Sequence, residues 1–256
     1  MTRTTLEPPT MNHAAPHPRP EVNSPGKLPP LPTPTGADMF WGATSLVTGL
    51  IGAVAGAILA DRVMGLAGAD VLAVLLIGGG LGMWLPLIWG VIRRRGWSLQ
   101  EIGFRRGRHS LLHLIYQIPV AILGSGFLAL LVGPALQLTP AGGSHTGQSL
   151  EASPLLALGA AAMIVLVIPL AEELLFRRIL LDWLISKMPV VAAGAIVVVV
   201  FAAAHLSPPV MLYILFLGTA LTCMRLWYGN LWAPLILHMC NNGLITAITL
   251  LVIFLR

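Results

Sequence analysis

From residue 39 onward the chain alternates between long apolar runs and short polar breaks. Runs fall at 40–60, 71–92, 111–133, 154–170, 190–205, 209–226 and 231–255. About 20 apolar residues cross a bilayer as one helix, so each run reads as a span. The predicted fold is all-α, a polytopic transmembrane bundle of about seven helices occupying 39–256. The fourth run carries on into AEELLFRR at 171–178, where two acids and two bases follow a stretch without charge. Gly52 and Gly56, and Gly78 and Gly82, have the small-residue spacing of closely packed spans. The GGG at 78–80 precedes no P-loop lysine, so a phosphate loop is not expected there.

Residues 1–38 have a different pattern. Half of the chain's 20 prolines fall in them, with few large apolar residues. Such a stretch cannot bury enough surface to offset its ordering entropy, and it is expected to be a disordered tail. It lacks the early apolar core of a cleaved signal peptide.

Composition agrees with a membrane protein. Charged residues make up 10% of the chain, with a mean hydropathy of +0.84, against about 25% charged in soluble domains. The net charge of +5 is not a nucleic-acid footprint, because its basic residues concentrate beside spans. Arg93, Arg94, Arg95, Arg105, Arg106 and Arg108 place their loop in the cytoplasm by the positive-inside rule, and the N-terminal tail with it. The loop 134–152 has no Lys or Arg and reads as external. The stretch 96–110 reads equally as a segment lying on the membrane surface or as an ordinary loop. Cys223 and Cys240 sit in apolar runs and are expected to be buried.

Ionisable groups at bilayer depth cost roughly 2.5–3.5 kcal/mol each, so their default reading is functional. In the C-terminal half these are Glu172, Glu173, Arg177, Arg178, Asp182, His205, Arg225 and His238. On a helix Glu173 and Arg177 pair at i,i+4 with the acid first. Arg178 and Asp182 pair at the same spacing, and Arg225, at a helix end, is expected to snorkel. Glu172 points about 100° away from Glu173 and is left over. In FAAAH at 201–205, Phe201 and His205 share a helical face. A turn at Lys187-Met188-Pro189 would bring Glu172 and His205 to one depth, roughly 24 Å from its tip. In HMCNN at 238–242, His238 and Asn242 share a face of the last helix.

A glutamate and a histidine that share a water can deprotonate it, and a second histidine with an amide can stabilise an oxyanion. That set makes an amide hydrolase, with Glu172 and His205 as base and His238 and Asn242 as oxyanion hole. Glu172, His205 and His238 could instead hold Zn²⁺ with an open position for water. A proton-coupled transporter and a non-catalytic membrane partner are the competing classes.

EELLFR at 172–177 fits EExxxR, FAAAH fits FxxxH and HMCNN fits HxxxN. In this order the three resemble the CPBP (Abi) family of CAAX-type prenyl-protein endopeptidases and bacteriocin-processing or immunity proteins. The resemblance covers about 155–250. It implies that Glu172 and His205 activate the water, that His238 and Asn242 stabilise the oxyanion, and that Glu173 and Arg177 support the site. Phe176 and Phe201 are expected to line the substrate. The family has been described both as metalloprotease and as metal-independent glutamate protease; no tightly bound metal is expected, with zinc as the alternative. The implied partners are a membrane-associated peptide or protein substrate and the lipid bilayer, with no nucleic acid. The expected location is a bacterial-type plasma membrane, with the active-site opening cytoplasmic.

Overall fold

The computed structural model describes residues 30–138 and 145–256. Most of the tail assigned to 1–38, and part of the 134–152 loop, lie outside the described residues. Six helices are long and apolar enough to span: α1 (Gly36–Val63), α2 (Ala69–Arg93), α3 (Leu111–Leu136), α4 (Pro154–Ile185), α6 (Pro208–Tyr228) and α7 (Trp232–Phe254). Between them α5 (Val190–Ala203) has 14 residues, about 21 Å of rise against a hydrocarbon core of about 30 Å. The fifth predicted span is therefore shorter as a helix than the hydrocarbon core is thick. Pro208 and Pro209 disfavour helix in the residues before them, and Leu206 takes a positive φ of 58°. No strand occurs among the described residues. The protein is an integral membrane helical bundle.

The first helix starts earlier than expected, at Gly36, because Thr35 caps it. The Thr35 hydroxyl accepts from the Asp38 backbone N–H, and the Asp38 carboxylate accepts from the Thr35 N–H at 2.7 Å. This capping box satisfies two orphan donors of the first turn. Asp38 is fully buried and also pairs with Arg94 and, at 3.7 Å, with Arg95. Arg95 donates to the Thr33 carbonyl at 3.1 Å, and Arg178 to that of Pro32 at 2.7 Å. The segment just ahead of α1 is thus tied to the arginine-rich end of the bundle.

Helices α1 and α2 meet along their glycines. A Cβ on Gly52 would lie 2.3 Å from the Gly78 carbonyl oxygen, and one on Gly82 would lie 2.3 Å from that of Thr48. The Thr48 hydroxyl donates to the Gly82 carbonyl at 2.8 Å across the same seam. Only glycine permits backbones to approach so closely. Gly78→Val should lower the thermal unfolding midpoint in detergent, with an overpacking cost of about 1–3 kcal/mol. Gly124→Ala is the control, since no atom lies within 4 Å of its Cβ position. Equal midpoints for the two variants would refute close packing at this seam.

The stretch 96–110 is a folded loop docked on the bundle. Ser98 caps a one-turn helix (Leu99–Ile102) in a second capping box with Glu101. The Ser98 backbone N–H and then its hydroxyl hold the Glu101 carboxyl below the usual glutamate range. Trp97 and Ile102 are buried against Ala171, Leu174, Ile179 and Leu231. The Gly103 carbonyl accepts from Leu231 N–H at 2.9 Å, and the Arg108 N–H donates to the Tyr228 carbonyl at 2.8 Å. Its apolar residues face the protein, with Leu99 exposed. Cys223 and Cys240 are free and exposed rather than buried; on spanning helices a small apolar thiol can face lipid as readily as core.

Candidate active site

Two stretches of α4, expected to be plain α-helix, are wider. Met163–Val167 and Glu173–Leu180 are π-helical, with Ile168–Glu172 as α-helix between them. Pro169 lies at the start of that α segment and has no N–H to offer the preceding turn. Such i→i+5 turns are rare and concentrate at functional sites. Here the EExxxR residues straddle the second junction, with Glu172 as the last α-helical residue.

The i,i+4 pair forms as the spacing predicts. Arg177 Nη1 donates to Glu173 Oε1 at 3.1 Å, with both side chains fully buried. The guanidinium lies over the Phe201 ring, 4.0 Å from its centroid. Gly218 leaves the room for this stack: a Cβ there would lie 3.1 Å from Phe201 Cδ1 and 3.7 Å from Arg177 Nη2. Glu173 is not only a structural partner of Arg177. Its Oε1 also lies 2.9 Å from His238 Nδ1. A carboxylate already accepting from a guanidinium accepts here too, so His238 carries its proton on Nδ1.

His238 Nε2 therefore faces the other acid, and Glu172 Oε2 lies 3.5 Å from it. No hydrogen bond joins Glu172 to His205 among the described residues. The direct contacts between acid and imidazole run from α4 to α7. The α4–α5 hairpin does turn where expected, at 186–189. His205 lies just past the end of α5, half-buried, with Nδ1 2.9 Å from the Phe201 carbonyl. A carbonyl only accepts, so His205 Nδ1 carries the proton and neutral His205 presents a bare Nε2. The Phe201 ring stands edge-on to both imidazoles, with centroids 5.1 Å from His205 and 5.9 Å from His238.

Phe176 and Phe201 are 2% and 0% exposed and pack edge to face at 5.0 Å. Expected to line the substrate, they form the floor beneath the polar cluster. Asn242 is half-buried, and its Nδ2 donates to the Ile164 carbonyl at 2.9 Å. One N–H of its amide is thus engaged on α4 and one is left. Among the described residues no three His, Cys, Asp or Glu side chains converge as metal ligands. His205 and His238 each donate from Nδ1 and leave Nε2 open, and the Nε2 of His238 faces the Glu172 carboxylate.

Two separations fix the depth of the cluster. Arg178 Nε donates to the Glu101 carbonyl at 2.9 Å in the arginine-rich loop, and Glu173 lies about 8 Å of helix rise from Arg178. His238 lies about 9 Å from the start of α7 at that same end. The two agree, so the site sits a short way inside the arginine-rich face. Ile185 lies about 18 Å beyond Glu173, so the α4–α5 turn reaches about 9 Å further out than Trp232. This protrusion lets groups at unequal distances from their turns meet.

A second cluster forms around the Arg178–Asp182 pair that the spacing predicts, and sequence reasoning missed its third member, Arg225. Asp182 accepts from Arg178 Nη1 at 3.0 Å and from Arg225 Nη2 at 2.8 Å, and Arg225 Nε donates to the Arg177 carbonyl at 3.2 Å. Arg225 is 6% exposed and does not snorkel. Its burial is satisfied by an acid 43 positions away, a pairing that no local spacing reveals.

Six candidate spans around a buried carboxylate–imidazole cluster define an integral membrane protein. Residues 154–244 match the family model described as Rce1-like, type II CAAX prenyl endopeptidase Rce1-like. The resemblance carried by the three motifs is thereby shown over this segment, which is similar to membrane peptidases of that type. No curated protein and no solved structure matches the chain.

Proposed function

We propose that the protein is an intramembrane endopeptidase of the CAAX type, hydrolysing a peptide bond presented from the membrane. The observation that carries this is the division of labour between the adjacent acids. Glu173 is consumed by Arg177 and His238, whereas Glu172 keeps a partly exposed carboxylate beside an imidazole. Glu172, with the bare Nε2 of His205, takes the proton of a water as its oxygen attacks the scissile carbonyl carbon. The carbonyl oxygen becomes an oxyanion, for which the free N–H of Asn242 is a donor. With Nδ1 donating to Glu173, His238 donates from Nε2 only when doubly protonated. Collapse of the tetrahedral intermediate breaks the C–N bond, and the proton taken from water passes to the leaving amine. No step is routed through a metal. By the positive-inside rule the arginine-rich end, and the nearby site, face the cytoplasm of a bacterial-type plasma membrane.

The family match supports a CAAX-type substrate. The test uses purified protein in liposomes, offered a farnesylated CAAX peptide, the same peptide without the lipid, and an apolar membrane peptide. Release of the C-terminal tripeptide from the farnesylated peptide is the expected result. No cleavage of any of the three by folded protein would remove the peptidase reading.

A further inference from the structure

In the proposed site Asn242 ends a chain of polar side chains whose other members the proposed chemistry does not use. Within the first π turn of α4 the Ile168 N–H bonds the Met163 carbonyl, one residue further back than in an α-helix. The N–H that would next reach the Ile164 carbonyl belongs to residue 169, which is proline and has none. Asn242 Nδ2 occupies that opening at 2.9 Å. The atom facing a carbonyl must be the donor, so the orientation of the Asn242 amide is fixed, with Oδ1 on the other side. There it accepts from Asn241 Nδ2 at 3.0 Å. Asn241, 1% exposed, must then turn its own Oδ1 away, and it accepts a short hydrogen bond from the Tyr213 hydroxyl of α6. The line Tyr213–Asn241–Asn242–Ile164 joins three helices with one consistent direction of donation.

We propose that Tyr213 and Asn241 are positioning residues, which hold the Asn242 carboxamide so that its remaining N–H is presented on the His238 face of α7. Asn242 and His238 are four apart on that helix and share a face. Without the Tyr213 hydroxyl the Asn241 amide can turn over, and Asn242 loses the contact that selects its rotamer. This inference rests on the peptidase reading for its consequence in turnover, but its geometry stands apart from it.

Tyr213→Phe removes only the hydroxyl. It should lower kcat on the farnesylated peptide about tenfold with KM within about twofold. In an Asn242→Ala background the same change should cost nothing more, because the residue it acts through is gone. Asn241→Leu, similar in volume, should reproduce the Tyr213→Phe loss and be equally silent in that background. Full activity of Tyr213→Phe, or equal losses in both backgrounds, would overturn the proposal. Thermal unfolding in detergent supplies a readout that needs no turnover. There Tyr213→Phe should cost less in the Asn242→Ala background than in the wild type, because Asn241 has already lost the acceptor that fixes its amide, although its bond to the Tyr213 hydroxyl is still broken. Non-additive midpoints with an inactive wild type would keep the polar line and remove the peptidase reading. Additive midpoints with an active wild type would do the reverse.

Discussion

Glu172→Gln should lower kcat/KM for peptide cleavage about 10³-fold, the scale of losing a general base, while leaving the unfolding midpoint close to that of the wild type. The substitution keeps side-chain volume and one carbonyl oxygen. It removes the charge and the ability to take a proton. Stability should hold because Glu172 carries little of the packing. Its side chain is 17% exposed, and its one polar contact is the 3.5 Å approach of His238 Nε2. Glu173→Gln provides the contrast, because that acid is fully buried and answers both Arg177 and His238. It should impair folding and activity together. A Glu172→Gln protein that cleaves at the wild-type rate would place the base elsewhere.

Arg177→Met should be the most destabilising single change in the catalytic half, by about 3–5 kcal/mol. Arg177 is fully buried, donates to Glu173 at 3.1 Å and stacks over Phe201 at 4.0 Å. Methionine fills most of the space but leaves Glu173 charged in the core with its main partner gone. Glu173 Oε2 already has no hydrogen-bond partner among the described residues, so none of them offers a spare donor. The Glu173→Gln/Arg177→Met double variant removes both charges and should recover part of the loss, as breaking one side of a buried pair costs more than replacing the pair. The measurement is thermal unfolding of the detergent-solubilised protein. A single variant as stable as the wild type would mean that the ion pair contributes nothing, and a double variant no better than the single would mean that the cost is cavity formation alone.

Much of this architecture was readable from residue order. The hydropathy of 154–170 and 231–255 marks spans because about 20 apolar residues admit no other cheap fate in a membrane. The glycine seam of α1 and α2 was legible because small residues at four-residue spacing make a groove on one helix face. The Thr35-to-Asp38 box was also written in the chain, but proline content drew the tail boundary past it. The span at 190–205 fell short because two prolines outweigh apolar character in deciding where a helix stops.

In the site, local pairs were legible and long-range partners were not. Glu173 and Arg177 meet because helix geometry alone brings positions four apart together. The turn at 186–189 lies where the spacing of Glu172 and His205 puts it, but a turn does not settle which neighbour a side chain meets. Glu172 turns to His238 on α7, and Arg225 finds Asp182 rather than the interface. The π turns of α4 change how its side chains are spread around the axis, and no period in the sequence announces them.

By itself the sequence determined where the spans lie, which end carries the arginines and which ionisable groups must be answered inside the bilayer, since each follows from transfer energies and spacing along one helix. Only the tertiary structure decided who answers them: His238 stands between two glutamates, Asn242 closes the carbonyl that Pro169 leaves open, and Asp182 joins two arginines. Those contacts depend on the rotation and offset of packed helices, which side-chain packing sets over the whole bundle and no single helix encodes.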